Sequence, residues 1–474
     1  MIAFERRAIE QAAQTVHSDA GGGAEGRRCL PAPVVECVSV RVREHVGGTV
    51  GNQRTQMRVE APCSNEAERA RHSIASGATL LVLGGTAFQV PAILHALKLG
   101  CRVITCDYLP CNPAHRYAHR YVNASTTDRE AILAVAREHR VDGVLAYASD
   151  PAALTAAAVC AELRLPGNSV AAVDTLANKS LFRAFLRDHD FRVPRFEAAM
   201  TADDASAAAS AIGFPVMIKP VDSSGSKGVA RVTTHEAVVE ATRSALAYSR
   251  CKQVIVEEWI ERDGAQVAGD GLVIDGRLVF AGFGDEHFDP LCSPHAPVGE
   301  SMPGTLSRDH REFLLRELQR LFTLLGVRQL VFNLDAMIDR NGRVMLIEVG
   351  PRAGGNALPQ LIQLATGVDL TDIAIRQALG IGVPPELYAS SAKRCFASHM
   401  LHSRSAGQFG GFRMAPALQP HAIEVTLTAK PGEVVNPFRS SKDTLGFALF
   451  GFPDVEVMRS HLSGISDAFV PVVN

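Results

Sequence analysis

Apolar segments alternate with amphipathic segments from residue 78 onward, at lengths typical of strands and helices. Residues 78–83 form a short apolar run, and a Gly84-Gly85-Thr86 turn leads from it into a segment with one apolar face at 90–99. The alternation continues with a strand at 102–106, a helix at 129–139 and a strand at 143–147. Because strands that alternate with helices pair in parallel, the pattern predicts an α/β domain over residues 77–176, a doubly wound parallel sheet with helices on both faces.

The glycine turn of this first domain also resembles part of a dinucleotide-binding fingerprint. It precedes a predicted helix, and an acidic residue, Asp107, follows about twenty residues later. The glycine pattern is incomplete, however. We therefore favour the interpretation that these glycines allow tight packing of helix against strand.

An α+β pattern follows over residues 177–390. Helices at 179–188 and 205–212 alternate with strands at 216–219, 229–233 and 254–258. Strands at 266–274 and 277–283, joined by Asp275-Gly276, are typical of a hairpin, and a long amphipathic helix follows at 308–325. The sequence predicts a central domain over 177–390 with a lid subdomain at 214–260, and a small β-rich C-terminal lobe over 391–474.

Residues 1–76 differ from the rest of the chain. They carry a Gly21-Gly22-Gly23 run, scattered arginines and no sustained hydrophobic period. This composition is typical of a disordered extension, and we assign it no function.

Composition and charge narrow the classes of partner. The formal net charge is −2, so no basic field attracts nucleic acid or an anionic membrane surface. No apolar run approaches the ~18 residues of a membrane span. The ten cysteines include no Cys-x-x-Cys pair, which favours free thiols in a reducing compartment. We therefore expect a cytoplasmic protein with small-molecule partners, and leave open whether it forms a homodimer.

Two carboxylates face each other across a second predicted hairpin. Residues 330–338 and 344–348 read as strands, and Asn341-Gly342 between them is a strong signal for a two-residue turn. If that turn is type I′, Asp335 lies opposite Glu348 with Cβ atoms about 5 Å apart. Like charges so placed destabilise a sheet, but Mg²⁺ binds through a few carboxylate oxygens plus phosphate oxygens. Because the neighbouring residues are apolar, we favour a metal site over two solvent-exposed acids.

A lysine closes an apolar strand and precedes a loop of small residues. Lys219 ends the run 214–218, where its charge is costly to bury unless it has a charged partner. Backbone N–H groups and hydroxyls of the following loop can cover phosphates, although the loop lacks the ending of a Walker motif. With Lys179 at the start of a helix, these residues predict a polyphosphate site. The loop consists of Ser223, Ser224, Gly225, Ser226, Lys227 and Gly228.

The strand at 254–258 ends in two acids, Glu257 and Glu258, and continues into Trp259 and Ile260. Two exposed acids that end a strand are one interpretation. The functional alternative is a connector whose acid and backbone groups contact the edge of an adenine, with Ile260 beneath the ring.

Taken in order, these segments resemble the ATP-grasp superfamily, which includes carboxylate–amine ligases, biotin carboxylase and carbamoyl-phosphate synthetase. The resemblance covers residues 78–367 and rests on five motifs: Asn178-Lys179, Ile218-Lys219-Pro220, the Ser-rich loop, Val256-Glu257-Glu258, and Asp335 with Ile347-Glu348-Val349-Gly350-Pro351-Arg352.

The resemblance implies a function for each of these motifs. Lys179 and Lys219 would bind ATP phosphates beneath a mobile lid at 223–228, and residues 257–260 would hold the adenine. Asp335 and Glu348 would bind magnesium, for which manganese is a possible substitute. Arg352 would hold a substrate carboxylate or the transferring phosphoryl group, with Lys219 as its catalytic partner.

The chain departs from the family pattern at two positions. Many members have Asn two residues after the second metal acid, where this chain has Gly350, and Asn356 is our candidate replacement. An acid commonly holds the ribose, where this chain has Gln266, whose amide still hydrogen-bonds a hydroxyl. On the acceptor side, His287 and Arg413 are candidates, and a structural histidine is an equally good interpretation of the first.

The sequence is consistent with three functions. The leading one is an ADP-forming ligase that joins a carboxylate to an amine through an acyl phosphate. The second activates bicarbonate, as in carboxylation or carbamoyl phosphate synthesis. The third is a catalytically inactive ATP-binding module, which the complete set of charged residues argues against and Gly350 leaves open.

Overall fold

The computed structural model describes residues 76–391 and 394–474. The predicted extension at 1–76 therefore lies outside the described residues, apart from Ser76. A four-stranded parallel sheet comes first, in the order β3-β2-β1-β4. Its elements are β1 (Thr79–Leu83), α1 (Val90–Lys98), β2 (Arg102–Asp107), β3 (Arg120–Asn123), α2 (Arg129–Glu138), β4 (Gly143–Ala146) and α3 (Asp150–Leu163).

Alternation along β1 explains why helices cover both faces of this sheet. Leu80 and Val82 point to one face and pack against α1, whereas Leu81 and Leu83 point to the other and pack against α2 and α3. Because side chains in a strand alternate between faces, a strand buried on both faces is apolar at every position. The predicted doubly wound parallel sheet is confirmed.

Two helices, α4 (Val170–Ala177) and α5 (Lys179–Asp188), lead into a small antiparallel sheet. The order of that sheet is β5-β8-β6-β7. Val216 and Ile218 face its two helices, while Met217 and Lys219 face a cavity on the other side. Its elements are β5 (Phe196–Ala199), α6 (Ala202–Ile212), β6 (Val216–Pro220), β7 (Ala230–Val232), α7 (His235–Tyr248) and β8 (Val254–Glu258). The sheet begins upstream of the predicted range 214–260.

An eight-stranded antiparallel sheet forms the centre, in the order β13-β12-β9-β10-β11-β14-β18-β16. Its first part contains β9 (Gln266–Ile274), β10 (Arg277–Asp289), β11 (Ser293–Met302), α8 (Arg308–Leu324), β12 (Gln329–Ile338), β13 (Val344–Gly350), α9 (Leu358–Thr366) and α10 (Leu370–Ala378). Phe332 and Leu334 of β12 pack against α8 on one face, and Val331 packs against α9 and α10 on the other. Asp335 follows two residues after Asn333 on that second face, where both line the cavity.

The C-terminal residues form the small β-rich part that the sequence predicts, with a hydrophobic core of their own, and they are also joined to the central sheet. β14 pairs with β11 and β18, so three C-terminal strands continue the central sheet. A further three-stranded sheet, β17-β15-β19, packs beside them. The elements of this part are β14 (Cys395–Leu401), β15 (Gly407–Met414), β16 (Ala422–Leu427), β17 (Val434–Val435), β18 (Gly446–Phe452), α11 (Val455–Leu462), α12 (Ile465–Ala468) and β19 (Phe469–Val473).

Within the part of the chain that the structure describes, every helix is too short or too polar to cross a membrane. All cysteines of that part are free thiols.

Candidate active site

A cavity of about 680 Å³ lies between the small sheet and the central sheet. Both sheets contribute charged side chains to it, as does the loop that follows β6. The cavity brings together nearly all the residues that the sequence analysis selected: Lys179, Lys219, Ser223, Ser224, Gly225, Ser226, Lys227, Glu257, Glu258, Trp259, Ile260, Gln266, Asp335, Glu348, Arg352 and Asn356. Gly228 is the one selected residue of the loop that does not line it.

Lys219 has the charged partner that its position on a strand requires. Its Nζ lies 2.6 Å from Oε2 of Glu257, and Arg183 of α5 lies 2.7 Å from the other carboxylate oxygen. Burial alone would raise the pKa of Glu257, but the charges of Arg183 and Lys219 outweigh it and lower that pKa to about 2. Glu257 is therefore a buried counter-ion of Arg183 and Lys219, and the contact of its carboxylate with adenine stays a prediction.

The connector after β8 lies in the wall of the cavity. Glu258 is partly exposed and pairs with Arg195, and Trp259 and Ile260 line the cavity. The guanidinium of Arg231 lies 4.7 Å from the centroid of the Trp259 ring. The connector therefore offers backbone groups and an aromatic face, and not a free carboxylate.

Lys179 connects the Ser-rich loop to the predicted metal acids. Asn178 caps α5 by accepting the N–H groups of Ser180 and Leu181, which fixes Lys179 at the first helical position. Its Nζ donates to the carbonyl of Ser223 at 3.0 Å and lies 3.0 Å from Oε2 of Glu348. The ammonium group of Lys179 thus contacts both the Ser-rich loop and the central sheet.

The Ser-rich loop contacts two other parts of the chain. The N–H of Ser441 donates to the carbonyl of Gly225 at 3.2 Å, and the hydroxyl of Ser226 donates to the carbonyl of His295 at 2.9 Å. Gly225 has a φ of +67°, which favours glycine, and a Cβ there would lie 2.0 Å from the Ser441 hydroxyl. The loop is therefore held over the cavity by residues outside the small sheet.

Asp335 and Glu348 are direct partners in the β12–β13 ladder, as predicted, but the reason differs from the prediction. The hairpin loop is not a two-residue type I′ turn, because Gly342 has a positive φ of +70° and Asn341 does not. Asp339 pairs with Arg343 instead, and the register up to Ala336 is one residue away from the predicted one. A β-bulge between Asp335 and Ala336 then restores the predicted pairing.

Several carboxyl groups around this pair have raised pKa values. Burial is the main cause at Asp335, whose pKa is about 7, and the negative charge of Glu348 adds to it. Burial also raises the pKa of Glu300 to about 8 and that of Glu286 well above its usual value. A concentration of buried, mutually repelling carboxylates is unfavourable without a cation. The donor set therefore fits a hard divalent metal ion.

Arg352 is buried at the end of β13 and pairs with a residue of the first domain. Its guanidinium binds Asp150 at the start of α3 and donates to the carbonyl of Ala353 at 3.0 Å. Burial would raise the pKa of Asp150, but the Arg352 charge outweighs it and lowers that pKa. The fork of Arg352 is thus oriented toward the cavity by an acid 202 residues away in sequence.

One of the two polar residues predicted to contact ligands makes a side-chain hydrogen bond within the protein, since Gln266 donates from Nε2 to Glu286 at 2.5 Å. Asn356 lines the cavity near Glu300 and partly offsets the rise in the pKa of that carboxyl. Neither candidate for the acceptor side lines the cavity. His287 is 2.8 Å from the Ser301 hydroxyl, and burial lowers its pKa, while Arg413 is an exposed residue of β15. The first is therefore a structural histidine, and the second lies on the surface.

The residues that line the cavity and were missed by the sequence analysis include Asp150, Glu286, Glu300 and Ser441. Asp150 follows the carboxyl end of a parallel strand, where ligands bind in open α/β sheets. Its position in the sequence could therefore have identified it as a candidate site residue. Glu300 lies in β11, whose two prolines argue against a strand.

Comparison with known proteins agrees with this fold. The family model for the carbamoyl-phosphate synthase L chain, ATP binding domain, matches residues 178–385. A formate-dependent phosphoribosylglycinamide formyltransferase from Parasynechococcus marenigrum is 28% identical over 327 residues, 66% of this chain and 80% of that protein.

Another relative, an uncharacterized protein from Sinorhizobium fredii, is 27% identical over 381 residues, 74% of this chain and 76% of that protein. The crystal structure of an L-amino acid ligase from Bacillus licheniformis superposes with a TM-score of 0.70 at 20% identity, over 84% of this chain and 99% of that one. The match over residues 178–385 and the shared fold indicate the ATP-grasp superfamily.

Proposed function

We propose that this protein is an ATP-dependent, ADP-forming ligase that joins a carboxylate to an amine through an acyl phosphate, with magnesium as its metal. The observation that carries the proposal is the single cavity described above. It combines two lysines, a loop of small residues, a facing pair of carboxylates and a buried arginine.

The nucleotide would lie between the two sheets. Lys219 and Lys179 each carry an ammonium group into the cavity, where phosphate oxygens would compete for the contacts that these groups now make with Glu257, Glu348 and Ser223. Backbone N–H groups of the Ser-rich loop would cover the same phosphates. The connector at 257–260 would hold the base through backbone groups and the Trp259 face.

The metal ion would be held by Asp335 and Glu348, whose strands bring them face to face. When bound, Mg²⁺ neutralises charge on the phosphate oxygens and on these two acids. Manganese, as a substitute, would use the same carboxylate oxygens.

The remaining chemistry depends on positioning. A carboxylate oxygen held by Arg352 forms a bond to the γ-phosphorus, while the bond from that phosphorus to the bridging oxygen breaks and ADP leaves. The amine nitrogen then attacks the acyl carbon, phosphate leaves with its bonding electrons, and the nitrogen loses a proton. The Ser-rich loop excludes water from the acyl phosphate, which would otherwise hydrolyse.

The relatives support a carboxylate and an amine as substrate classes. One is named for its dependence on formate, and the other as a ligase of L-amino acids. The cytoplasmic location and the homodimer stay predictions, as do the domain limits.

The proposal is tested by measuring ADP release with a panel of carboxylates, including bicarbonate, each paired with a panel of amines. We expect ADP release that depends on one acid and one amine together. Asp335→Asn should abolish this release, because it removes half of the carboxylate pair. Asp275→Asn is the matched control, since Asp275 is exposed on the β9–β10 turn with a φ of +49° that asparagine tolerates. ADP release with bicarbonate alone would contradict the amine ligase.

A further inference from the structure

Three side chains of types that bind transition metals come together next to the wall of the cavity. They are Asp289 at the end of β10, Cys292 in the turn that follows, and His402 directly after β14. One ligand atom of each residue lies within 4.8 Å of those of the other two. None of the three lines the cavity, although their neighbours Phe288 and Pro294 do. The cluster is therefore separate from the pair of carboxylates inside the cavity.

The turn after β10 fixes two of these residues relative to each other. The N–H of Cys292 donates to the carbonyl of Asp289 at 3.0 Å, and the N–H of Leu291 donates to Oδ1 of Asp289, also at 3.0 Å. The other carboxylate oxygen, Oδ2, lies 3.0 Å from Nε2 of His402. The backbone thus holds one oxygen of the buried carboxylate and leaves the second one for the cluster.

His402 has more acceptors around its ring than a neutral imidazole can serve. Its Nδ1 lies 2.8 Å from the carbonyl oxygen of Met400, and its Nε2 lies 3.0 Å from Oδ2 of Asp289. A neutral imidazole carries one N–H, so only one of these contacts can then be a hydrogen bond. Either the ring is doubly protonated, or a metal ion takes the place of the proton at Nε2. A histidine that binds a metal ion commonly donates its other N–H to a backbone carbonyl, as Nδ1 would do here.

Arg404 does not prevent a cation from binding beside it. Its Nε lies 2.8 Å from Oδ2 of Asp289, and its Nη1 lies 2.6 Å from the carboxylate of Asp467. A carboxylate oxygen has two lone pairs, so Oδ2 can accept from the guanidinium and also bind an ion. Ion binding removes the thiol proton of Cys292. The thiolate and the two carboxylates then balance the charge of a divalent ion and one guanidinium.

The mixture of ligand atoms determines which ion fits the cluster. Ligand atoms around a tetrahedral zinc ion are about 3 to 4 Å apart, because the bonds to nitrogen and oxygen are about 2.0 Å and those to sulfur about 2.3 Å. The atoms of this cluster lie within 4.8 Å of one another, so small rotations of the side chains bring them to a common ion. Thiolate and imidazole ligands favour zinc and related transition metals over magnesium.

We propose that Asp289, Cys292 and His402 form a second metal site, which binds a thiolate-preferring transition-metal ion of the Zn²⁺ type with water in the fourth position. His402 binds the ion through Nε2, while Nδ1 donates to Met400. Because β11 lies between β10 and β14, the ion links two strands that are not neighbours in the sheet. It fastens the β10–β11 turn to the C-terminal part of the chain, and it is independent of the magnesium ion of the proposed function.

Absorption spectroscopy with Co²⁺ tests this site, because Co²⁺ replaces Zn²⁺ and a thiolate bound to Co²⁺ gives a charge-transfer band in the near ultraviolet. The full chain is titrated with Co²⁺ in the presence of a reductant that contains no thiol. We expect a saturable thiolate band that disappears when Zn²⁺ is added. Cys292→Ser should lose the band, whereas Cys111→Ser, at an exposed free cysteine, is the matched control and should keep it.

Two further variants test the other ligands. His402→Gln and Asp289→Asn each remove a ligand but keep a polar side chain, so each should weaken Zn²⁺ binding by about tenfold or more in competition with a chelating dye. Circular dichroism establishes that each variant is folded. Cys292→Ser replaces a single atom in a partly exposed turn, so it tests the site even if a substitution at the two buried positions prevents folding.

Three results would overturn the proposal. If Co²⁺ gives no thiolate band with the unmodified protein, or if Cys292→Ser keeps the band, the cluster is an ion pair of Asp289 with His402 beside an uninvolved thiol. If folded His402→Gln and Asp289→Asn both bind Zn²⁺ as tightly as the unmodified protein does, Cys292 binds the ion without these two residues.

An Asp335→Asn variant separates this site from the proposed function. Asp335 lies in the cavity and offers no sulfur, so the variant should lose magnesium-dependent ADP release and keep the thiolate band. If it keeps both, only the magnesium site is wrong. If it loses the thiolate band while folded, the second metal site is wrong.

Discussion

Glu300 should make the stability of the metal-free protein depend on pH. Its carboxylate is buried in the cavity wall and accepts the hydroxyl hydrogen of Ser398 at 2.5 Å. Burial raises its pKa from the ordinary 4.5 to about 8. The folded protein therefore binds this proton more tightly than the unfolded chain does.

The sign and size of the pH effect on stability follow from that difference in proton affinity. The stabilisation is fully present below the unfolded pKa of 4.5, and it is lost progressively as the pH rises to about 8. For this carboxyl alone, the free energy of unfolding should fall by about 2 kcal/mol between pH 6 and pH 8. Glu300→Gln keeps an oxygen to accept from Ser398 but carries no charge at either pH.

Urea-induced unfolding, followed by circular dichroism in chelator-treated buffer, measures the effect. The unmodified protein should lose stability from pH 6 to pH 8 by more than Glu300→Gln does, and the variant should be the more stable of the two at pH 8. Glu300→Gln also removes the negative charge that helps to raise the pKa of Glu286, so the difference between the two proteins includes that interaction and has the same sign. Glu312→Gln, at an exposed glutamate of α8, is the control and should follow the unmodified protein. Equal pH dependence in Glu300→Gln and the unmodified protein would refute the reasoning.

Three further predictions concern the nucleotide side of the cavity. Gly225→Ala should weaken ATP binding by about tenfold or more in a direct titration, because it adds a Cβ 2.0 Å from the Ser441 hydroxyl at a positive φ, and adding Ser441→Ala should recover part of that loss. Arg183→Met should lower the free energy of unfolding by about 3 kcal/mol in urea titration, because it leaves the buried Glu257 with one cation fewer, and an unchanged midpoint would contradict this. Trypsin should cut after Lys227 in the free protein and more slowly with Mg-ATP, and equal cleavage rates would place the phosphates elsewhere.

Local patterns predicted the parts of the site that lie close together in sequence. Lys219 ends an apolar strand and needs an anionic partner, so a charged site there followed from the cost of burial alone. The sequence analysis also predicted that Asp335 and Glu348 lie opposite each other, but it derived this pairing from a turn that the chain does not form. Two one-residue shifts, one in the loop and one at the bulge, cancel each other. Bulges leave no clear mark in hydrophobic alternation, so that agreement was partly fortuitous.

Partners that are distant in sequence could not be predicted in this way. The pairing of Arg352 with Asp150 and that of Arg183 with Glu257 depend on how separate elements pack. The C-terminal strands were predicted as strands, but their addition to the central sheet depends on β11. Pro294 and Pro297 lie in that strand, and its pairing with β10 is irregular beside Pro297. Neither the strand propensities of its residues nor a two-residue hydrophobic period identifies a strand with such a composition.

The fate of a labelled carboxylate oxygen tests the central claim most directly. The acid substrate identified in the ADP-release panel is labelled with ¹⁸O in both carboxylate oxygens, and the products are analysed by mass spectrometry. An acyl phosphate transfers one of these oxygens to phosphorus, so the account predicts ADP together with inorganic phosphate that carries one ¹⁸O atom. Unlabelled phosphate alongside the amide product, or label in AMP, would contradict the acyl-phosphate mechanism.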